Sequence, residues 1–299
     1  GFFLRPEVLR DATQVARLTR QLHRAGDHPD GLSLLLSIDQ EGGTVQRLRA
    51  GVPAVPAAAR VGASGDPAYA RKAARQNGRT LRALGVTMVL APVADVDPDG
   101  SSVVGSRAYS ADPRKAADMV VATVEGYLQA GVIPVVKHFP GLGTVRGDSH
   151  RTLPVQRKSV AELMGTDLVP FRAAIDAGAP VIMSGHVAVP AVERGMPASL
   201  SRPLLEGVLR DRLGFHGVLI TDSQGMGPIH GRFGPAEGAV RSLLAGNDLV
   251  LNSPRPQAAR QAVIRAVRTG RLSERRVTEA ATRVVALRLF QQRLAAAAG

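Results

Sequence analysis

The sequence predicts an α/β protein on a parallel sheet: a (β/α)8 TIM-type barrel, with a doubly wound sheet as the competing layout. Three observations predict it. Short apolar runs of strand length alternate with longer helical patterns along the whole chain. The runs are continuous rather than alternating, as expected of parallel strands covered on both faces. Seven such strands are visible, and an eighth upstream of Gly1 would complete the barrel. The first strand is therefore expected to be missing or truncated at the N-terminus, leaving an open sheet edge.

The elements follow in order. Residues 2–4, Phe-Phe-Leu, read as the end of a strand. A helix is expected over 6–24, with Pro6 in the first turn, where a missing N–H is tolerated. Strand 34–39 follows. Helix 67–84 has Asp66 as N-cap and Gly85 as C-cap. Strand 86–92 leads to helix 113–130, bounded in the same way by Asp112 and Gly131. Then come strand 133–137, helix 160–177 ending at Gly178, strand 181–186, helix 201–213 and strand 218–222. Helix 235–245, strand 248–251 and helix 257–269 precede a last helix over 274–293, which starts after Ser273. No linker rich in Pro, Gly or Ser divides the chain, so residues 1–299 are expected to form one domain.

Composition narrows the function. With 44% hydrophobic and 21% charged residues, the chain is neither disordered nor collagen-like. No apolar run approaches the ~20 residues of a membrane-spanning helix. Cysteine is absent, which excludes disulfides, thiolate metal sites and cysteine nucleophiles. The net charge of +13 raises a nucleic-acid reading. Against it, the arginines are scattered, there is no basic block, and 3% aromatics leave few platforms for stacking bases. No nucleic-acid partner is expected, and a monomer is favoured. No targeting signal is visible, so a cytoplasmic and an exported location both stay open.

Position carries the functional signal. In a barrel the site lies at the C-terminal ends of the strands, and five strand ends here run into polar residues. They are Asp39-Gln40-Glu41, the stretch ending in Asp95-Val96-Asp97, Lys137-His138, Gly185-His186 and Thr221-Asp222-Ser223. A single such end could be a cap or a turn; five on one inferred rim are expected to build a polar site. A glycine-punctuated loop after Lys137-His138 ends in Asp148-Ser149-His150. An acid two residues from an imidazole can orient the ring and raise its basicity, as general acid–base chemistry requires.

These stretches resemble glycoside hydrolase family 3, in its bacterial β-N-acetylhexosaminidase branch. The matching segments are Ser37 to Arg47, Ala91 to Asp97, Val104 to Tyr109, and Val136 to Gly141 continuing to Asp148-Ser149-His150. Further on they include Pro197 to Ser201, Leu213 to Asp222, Met226, and Ala245-Gly246-Asn247-Asp248. The resemblance implies a barrel and a retaining exo-glycosidase that forms a covalent glycosyl-enzyme. Asp222 would be the nucleophile, and His150, oriented by Asp148, the acid/base. Asp39, Arg47, Arg107, Lys137, His138 and His186 would bind the sugar, and Glu41 would support the loop. Bottom-up, a carboxylate at a strand end suits nucleophilic attack at an anomeric carbon, and Arg and Lys can donate to hydroxyl or acetamido oxygens. The resemblance implies no metal and no cofactor.

Departures from the family pattern fall around the site: Leu142 stands where His is usual, Thr144-Val145 for Asp-Thr, Thr44 for Arg, and Ser223-Gln224 follow Asp222. The expected substrate is a terminal β-linked N-acetylglucosamine on a cell-wall (peptidoglycan, muropeptide) fragment or small glycan. A phosphorylase or β-glucosidase of the same family is the alternative chemistry. A barrel that binds sugar without turnover is the alternative class.

Overall fold

The computed structural model describes residues 1–26, 31–100, 102–149 and 151–298. The chain begins with β1 (Phe2–Leu4), α1 (Ala12–Gly26) and β2 (Leu36–Ile38). A small antiparallel pair, β3 (Gln40–Gly42) and β4 (Val45–Gln46), precedes α2 (Ala58–Ala63), α3 (Pro67–Ala83) and β5 (Met88–Val89). Next come α4 (Pro113–Gln129), β6 (Ile133–Phe139), α5 (Val160–Gly165), α6 (Val169–Asp176) and β7 (Val181–Ser184). A second antiparallel pair, β8 (Ala188–Val189) and β9 (Glu193–Pro197), leads to a π-type helix, Pro203–Arg212. The chain finishes with β10 (Val218–Thr221), α7 (Gly227–Ala245), α8 (Pro256–Arg268) and α9 (Glu274–Ala297).

Six strands pair in one all-parallel sheet in the order β1-β2-β5-β6-β7-β10. Every residue of β2, β5, β6, β7 and β10 is buried, which is why their sequences are continuous apolar runs. The sheet is not flat. Phe3 of β1 and Leu251, beyond β10, join Met88, Val135, Met183 and Ile220 in one hydrophobic cluster. A flat sheet would hold its two edges apart; here they face each other across a cavity of about 220 Å³ between Phe2, Phe3 and residues 249–252. This is the TIM-like (β/α) winding expected from the sequence.

The caps behave as anticipated. Asp66 accepts from Ala68 N, Asp112 from Arg114 N and Lys115 N, and Ser273 from Arg276 N. Gly85, Gly131 and Gly178 take φ of 77°, 82° and 80°, the left-handed region that favours glycine.

Four expectations are corrected. The helix drawn over 6–24 begins at Ala12, because Pro6–Val8 forms a lone 3₁₀ turn and Asp11 caps the helix through Gln14 N. The helix drawn over 160–177 is two helices, because the chain turns at Thr166 to bury Asp167 under Lys158, Thr144 and Thr166. The helix drawn over 235–245 extends back to Gly227 and kinks at Gly234. Strand 248–251 is only an Ile220–Leu249 bridge. There the amides of Asp248 and Leu249 share the Leu219 carbonyl and Leu251 N turns to the Thr221 hydroxyl, so the ladder cannot continue. The eight strands of a complete barrel are thus not seen among the described residues.

α9 lies over the seam between the sheet edges. Its Arg283 reaches Asp248 at 3.2 Å, beyond β10, and its Arg288 Nε reaches Ser33 O at 2.9 Å, just before β2. Leu287 and Val284 pack into the same cluster as Phe3 and Leu249. Among the described residues no helix is long and apolar enough to cross a membrane.

Candidate active site

Because β2, β6, β7 and β10 run parallel, their polar C-terminal residues gather at one edge of the sheet. Asp39 follows β2, Lys137 and His138 are the fifth and sixth residues of β6, His186 follows β7 and Asp222 follows β10.

A lattice of charges joins them. Lys137 Nζ lies 2.8 Å from Asp39 Oδ1 and 2.7 Å from Glu41 Oε1. Arg107 grips Glu41 with two prongs, Nε to Oε2 at 2.7 Å and Nη2 to Oε1 at 2.8 Å. Arg107 Nη2 is also 3.4 Å from His138 Nε2, and His138 Nδ1 is 2.7 Å from Asp95 Oδ2. Burial alone would raise the Glu41 carboxyl and lower the Lys137 ammonium. The opposite charges outweigh it: Lys137 and Arg107 hold Glu41 down at about 2, while Asp39 and Glu41 raise Lys137. Arg107 is raised too, with Glu41 outweighing its desolvation. Side chains of Asp39 and Arg107 remain 20% and 17% exposed, so the lattice opens at a surface and can meet a ligand.

Asp222 is half-buried, with its N–H on Ser184 O at 2.9 Å and its Oδ1 accepting from Ser223 N at 2.7 Å. It does not cap a helix, since α7 starts only at Gly227, after Met226. Burial pushes its carboxyl up. His138, His186, the Ser223 amide and Lys137 outweigh that, and the net effect is a lowered pKa. The site thus keeps Asp222 anionic.

His186 is wholly buried, with Nε2 2.9 Å from Ser223 O and Nδ1 2.8 Å from Ser199 Oγ. A carbonyl only accepts, so Nε2 carries the hydrogen and Nδ1 accepts from the hydroxyl. His186 thereby holds the backbone next to Asp222. Arg47 is exposed; its N–H donates to Asp39 O at 3.3 Å.

The glycine-punctuated loop packs inward at the positions that depart from the family pattern. Leu142 and Val145 are buried in the main hydrophobic cluster, and Thr144 donates to the buried Asp167 at 2.6 Å. Asp148 is half-buried, its carbonyl accepting from Arg151 N and Thr152 N, both at 3.0 Å. His150 lies outside the described residues. Sequence reasoning missed Asp95, buried at 1% exposure behind His138. The available signal was its place in the second of the polar strand ends.

The family model described as "Glycosyl hydrolase family 3 N terminal domain" matches residues 1–287. A beta-hexosaminidase of Thiobacillus denitrificans is 38% identical over 265 residues, covering 87% of this chain and 72% of the relative. A glycoside hydrolase family 3 beta-N-acetylglucosaminidase from a Paenibacillus species superposes with a TM-score of 0.93 at 40% identity, over 97% of this chain and 56% of its own. A beta-glucoside phosphorylase superposes with a TM-score of 0.89 at 26% identity, over 97% of this chain and 53% of its own. This chain therefore spans little more than half the length of those two solved proteins. A parallel sheet that gathers carboxylates, a lysine, an arginine and histidines at its strand ends, matched to one family along nearly its whole length, makes this chain a member of glycosyl hydrolase family 3.

Proposed function

We propose that the chain is a catalytic barrel domain, one unit over residues 1–299, that releases terminal β-linked N-acetylglucosamine with retention of configuration. The supporting observation is the juxtaposition at the strand ends of an ionised Asp222 with the Asp39–Lys137–Glu41–Arg107–His138 lattice. In the first step an Asp222 oxygen bonds to the anomeric carbon, the glycosidic C–O bond breaks, and His150 protonates the departing oxygen. In the second, neutral His150 takes a proton from water as its oxygen attacks the anomeric carbon, and Asp222 leaves as a carboxylate. A single neutral imidazole avoids a second anion beside Asp222. Asp148 orients His150. Asp39, Arg107, Lys137 and His138, with Arg47 from the rim, bind the sugar, while His186 supports Asp222. The absence of Trp fits a pocket for one sugar rather than a cleft for a polymer. Fragments of peptidoglycan are the substrates this reading favours.

The test is release of 4-nitrophenol from its N-acetyl-β-glucosaminide. Asp222→Ala is expected to lose at least about a thousandfold in kcat while keeping its fold; activity that survives the change sinks the assignment. Phosphorolysis is the second reading, favoured by the likeness to a beta-glucoside phosphorylase. Assay with added phosphate separates the two, since phosphorolysis yields the sugar 1-phosphate and hydrolysis the free sugar.

A further inference from the structure

The carboxylate of Asp95 sits inside the protein, and a buried carboxylate is costly unless hydrogen-bonded. Its bonds come from one short stretch of chain. Oδ1 accepts from His138 N at 3.2 Å and Leu142 N at 2.8 Å, and Oδ2 faces His138 Nδ1 at 2.7 Å. One side chain therefore touches both the histidine of the charge lattice and the first turn of the loop that carries Asp148.

Arg107 determines which hydrogen goes where. A guanidinium only donates, so its contact at 3.4 Å makes His138 Nε2 the acceptor. His138 Nδ1 then carries the hydrogen and gives it to Asp95. The pair beside the lattice becomes one donor, Arg107, and one acceptor, His138 Nε2. A hydroxyl, which both accepts and donates, matches that pair: it donates to the single Nε2 lone pair as the long Arg107 contact opens, and accepts from Arg107 in turn; two donors would match a carbonyl or an anion instead. The loop has little freedom to settle elsewhere after Leu142. A Cβ built on Gly143 would lie 2.0 Å from Val96 O and 3.0 Å from Asp97 N, so the chain runs directly against the strand end that bears Asp95.

We propose that Asp95 is a positioning residue with two linked effects. It sets the Nδ1–H tautomer of His138, so that Nε2 accepts a sugar hydroxyl, and it anchors the loop through the Leu142 amide. Occupancy of the sugar site and the posture of the loop are thereby coupled through one carboxylate. The roles of His138 and the loop rest on the reading of the site given above; the tautomer and the anchor do not.

The experiment uses the full chain labelled with ¹⁵N-histidine, and His138 signals are assigned by their loss in His138→Gln. Long-range ¹H–¹⁵N correlation is expected to show Nδ1 protonated and Nε2 bare in the unsubstituted protein. Asp95→Asn, whose amide can donate to Nδ1, is expected to reverse the tautomer, speed exchange of the Leu142 amide at least about tenfold, and weaken binding of free N-acetylglucosamine about ten- to a hundredfold. In the His138→Gln background Asp95→Asn should weaken that binding less than about twofold further, because its effect runs through His138. A protonated Nε2 in the unsubstituted protein overturns the proposal without any variant, as do an unchanged tautomer in Asp95→Asn or fully multiplying effects of the two changes. If the unsubstituted protein binds no N-acetylglucosamine, the sugar reading fails, and the tautomer and amide exchange still decide the role of Asp95.

Discussion

Glu41 and Asp222 are both acids held below their ordinary range, and they differ in what that does. Asp222 is half-exposed and kept ready as an anion; Glu41 is a structural clasp between Lys137 and Arg107. Glu41 has a folded-state pKa of about 2, below the ~4.3 of an unfolded glutamate. Its contribution to stability is therefore full above about pH 4.5 and is lost as the pH falls towards 2, about 3 kcal/mol in all. Glu41→Gln should be less stable than the unsubstituted protein at pH 7, and the gap should narrow by about 2 kcal/mol at pH 3. Urea unfolding at the two pH values measures it, and a gap independent of pH would mean that Glu41 is not held ionised by its neighbours. At this scale the sequence offered residue types at strand ends, and Asp39, Lys137, His138 and Asp222 were legible from it. Asp95 was not, because nothing local distinguishes a buried orienting acid from the other polar residues of its strand end.

Among the elements, the helices were the most legible and the strands' lengths the least. A cap such as Asp112 acts on amides two and three residues away, so its signal is written within a few positions of the sequence. The break between α5 and α6 was invisible because it is caused by Asp167, whose partners Thr144 and Lys158 come from outside those helices. The loop over 139–149 is the element on which turnover depends in our reading. Gly143→Ala would force it away from Val96, and we expect kcat to fall about tenfold or more, as misplaced acid–base groups imply. Kinetics with the 4-nitrophenyl substrate, checked against thermal unfolding, tests this; an unchanged kcat in a folded variant would remove the loop from the mechanism.

For the whole molecule, the question raised by +13 is where the arginines go. Three converge on one carboxylate: Arg210 at 3.0 Å, Arg276 at 2.5 Å and Arg283 at 3.2 Å from Asp248. Arg276 and Arg283 belong to α9, so this knot ties the last helix to the segment beyond β10, while Arg288 ties it to the chain before β2. Asp248→Ala would take the shared carboxylate from all three, leaving the largely buried Arg210 with only the longer Glu206 contact at 3.6 Å and Arg276 with only Glu279 at 3.1 Å. A loss of about 3–5 kcal/mol is expected in denaturant unfolding, and a loss below about 1 kcal/mol would show that the Asp248 knot does not hold α9. Most other arginines are exposed and dispersed. Retardation of DNA should accordingly be weak and vanish at physiological salt; a salt-resistant discrete complex would reinstate nucleic acid as a partner.

The sequence by itself determined the β/α rhythm, the helix starts capped by Asp66, Asp112 and Ser273, and the kinds of side chain at each strand end. These are short-range properties, readable as runs, caps and turn glycines. Tertiary structure decided the partners. Glu41 pairs with Arg107 across 66 positions and Asp39 with Lys137 across 98. Asp95 bonds His138 from 43 positions away. Such choices depend on which strand lies beside which and how the sheet curves, and no local spacing encodes them. The same curvature brings Phe3 near Leu251 and turns α9, in the sequence only a last helix after Ser273, into the element that covers the seam.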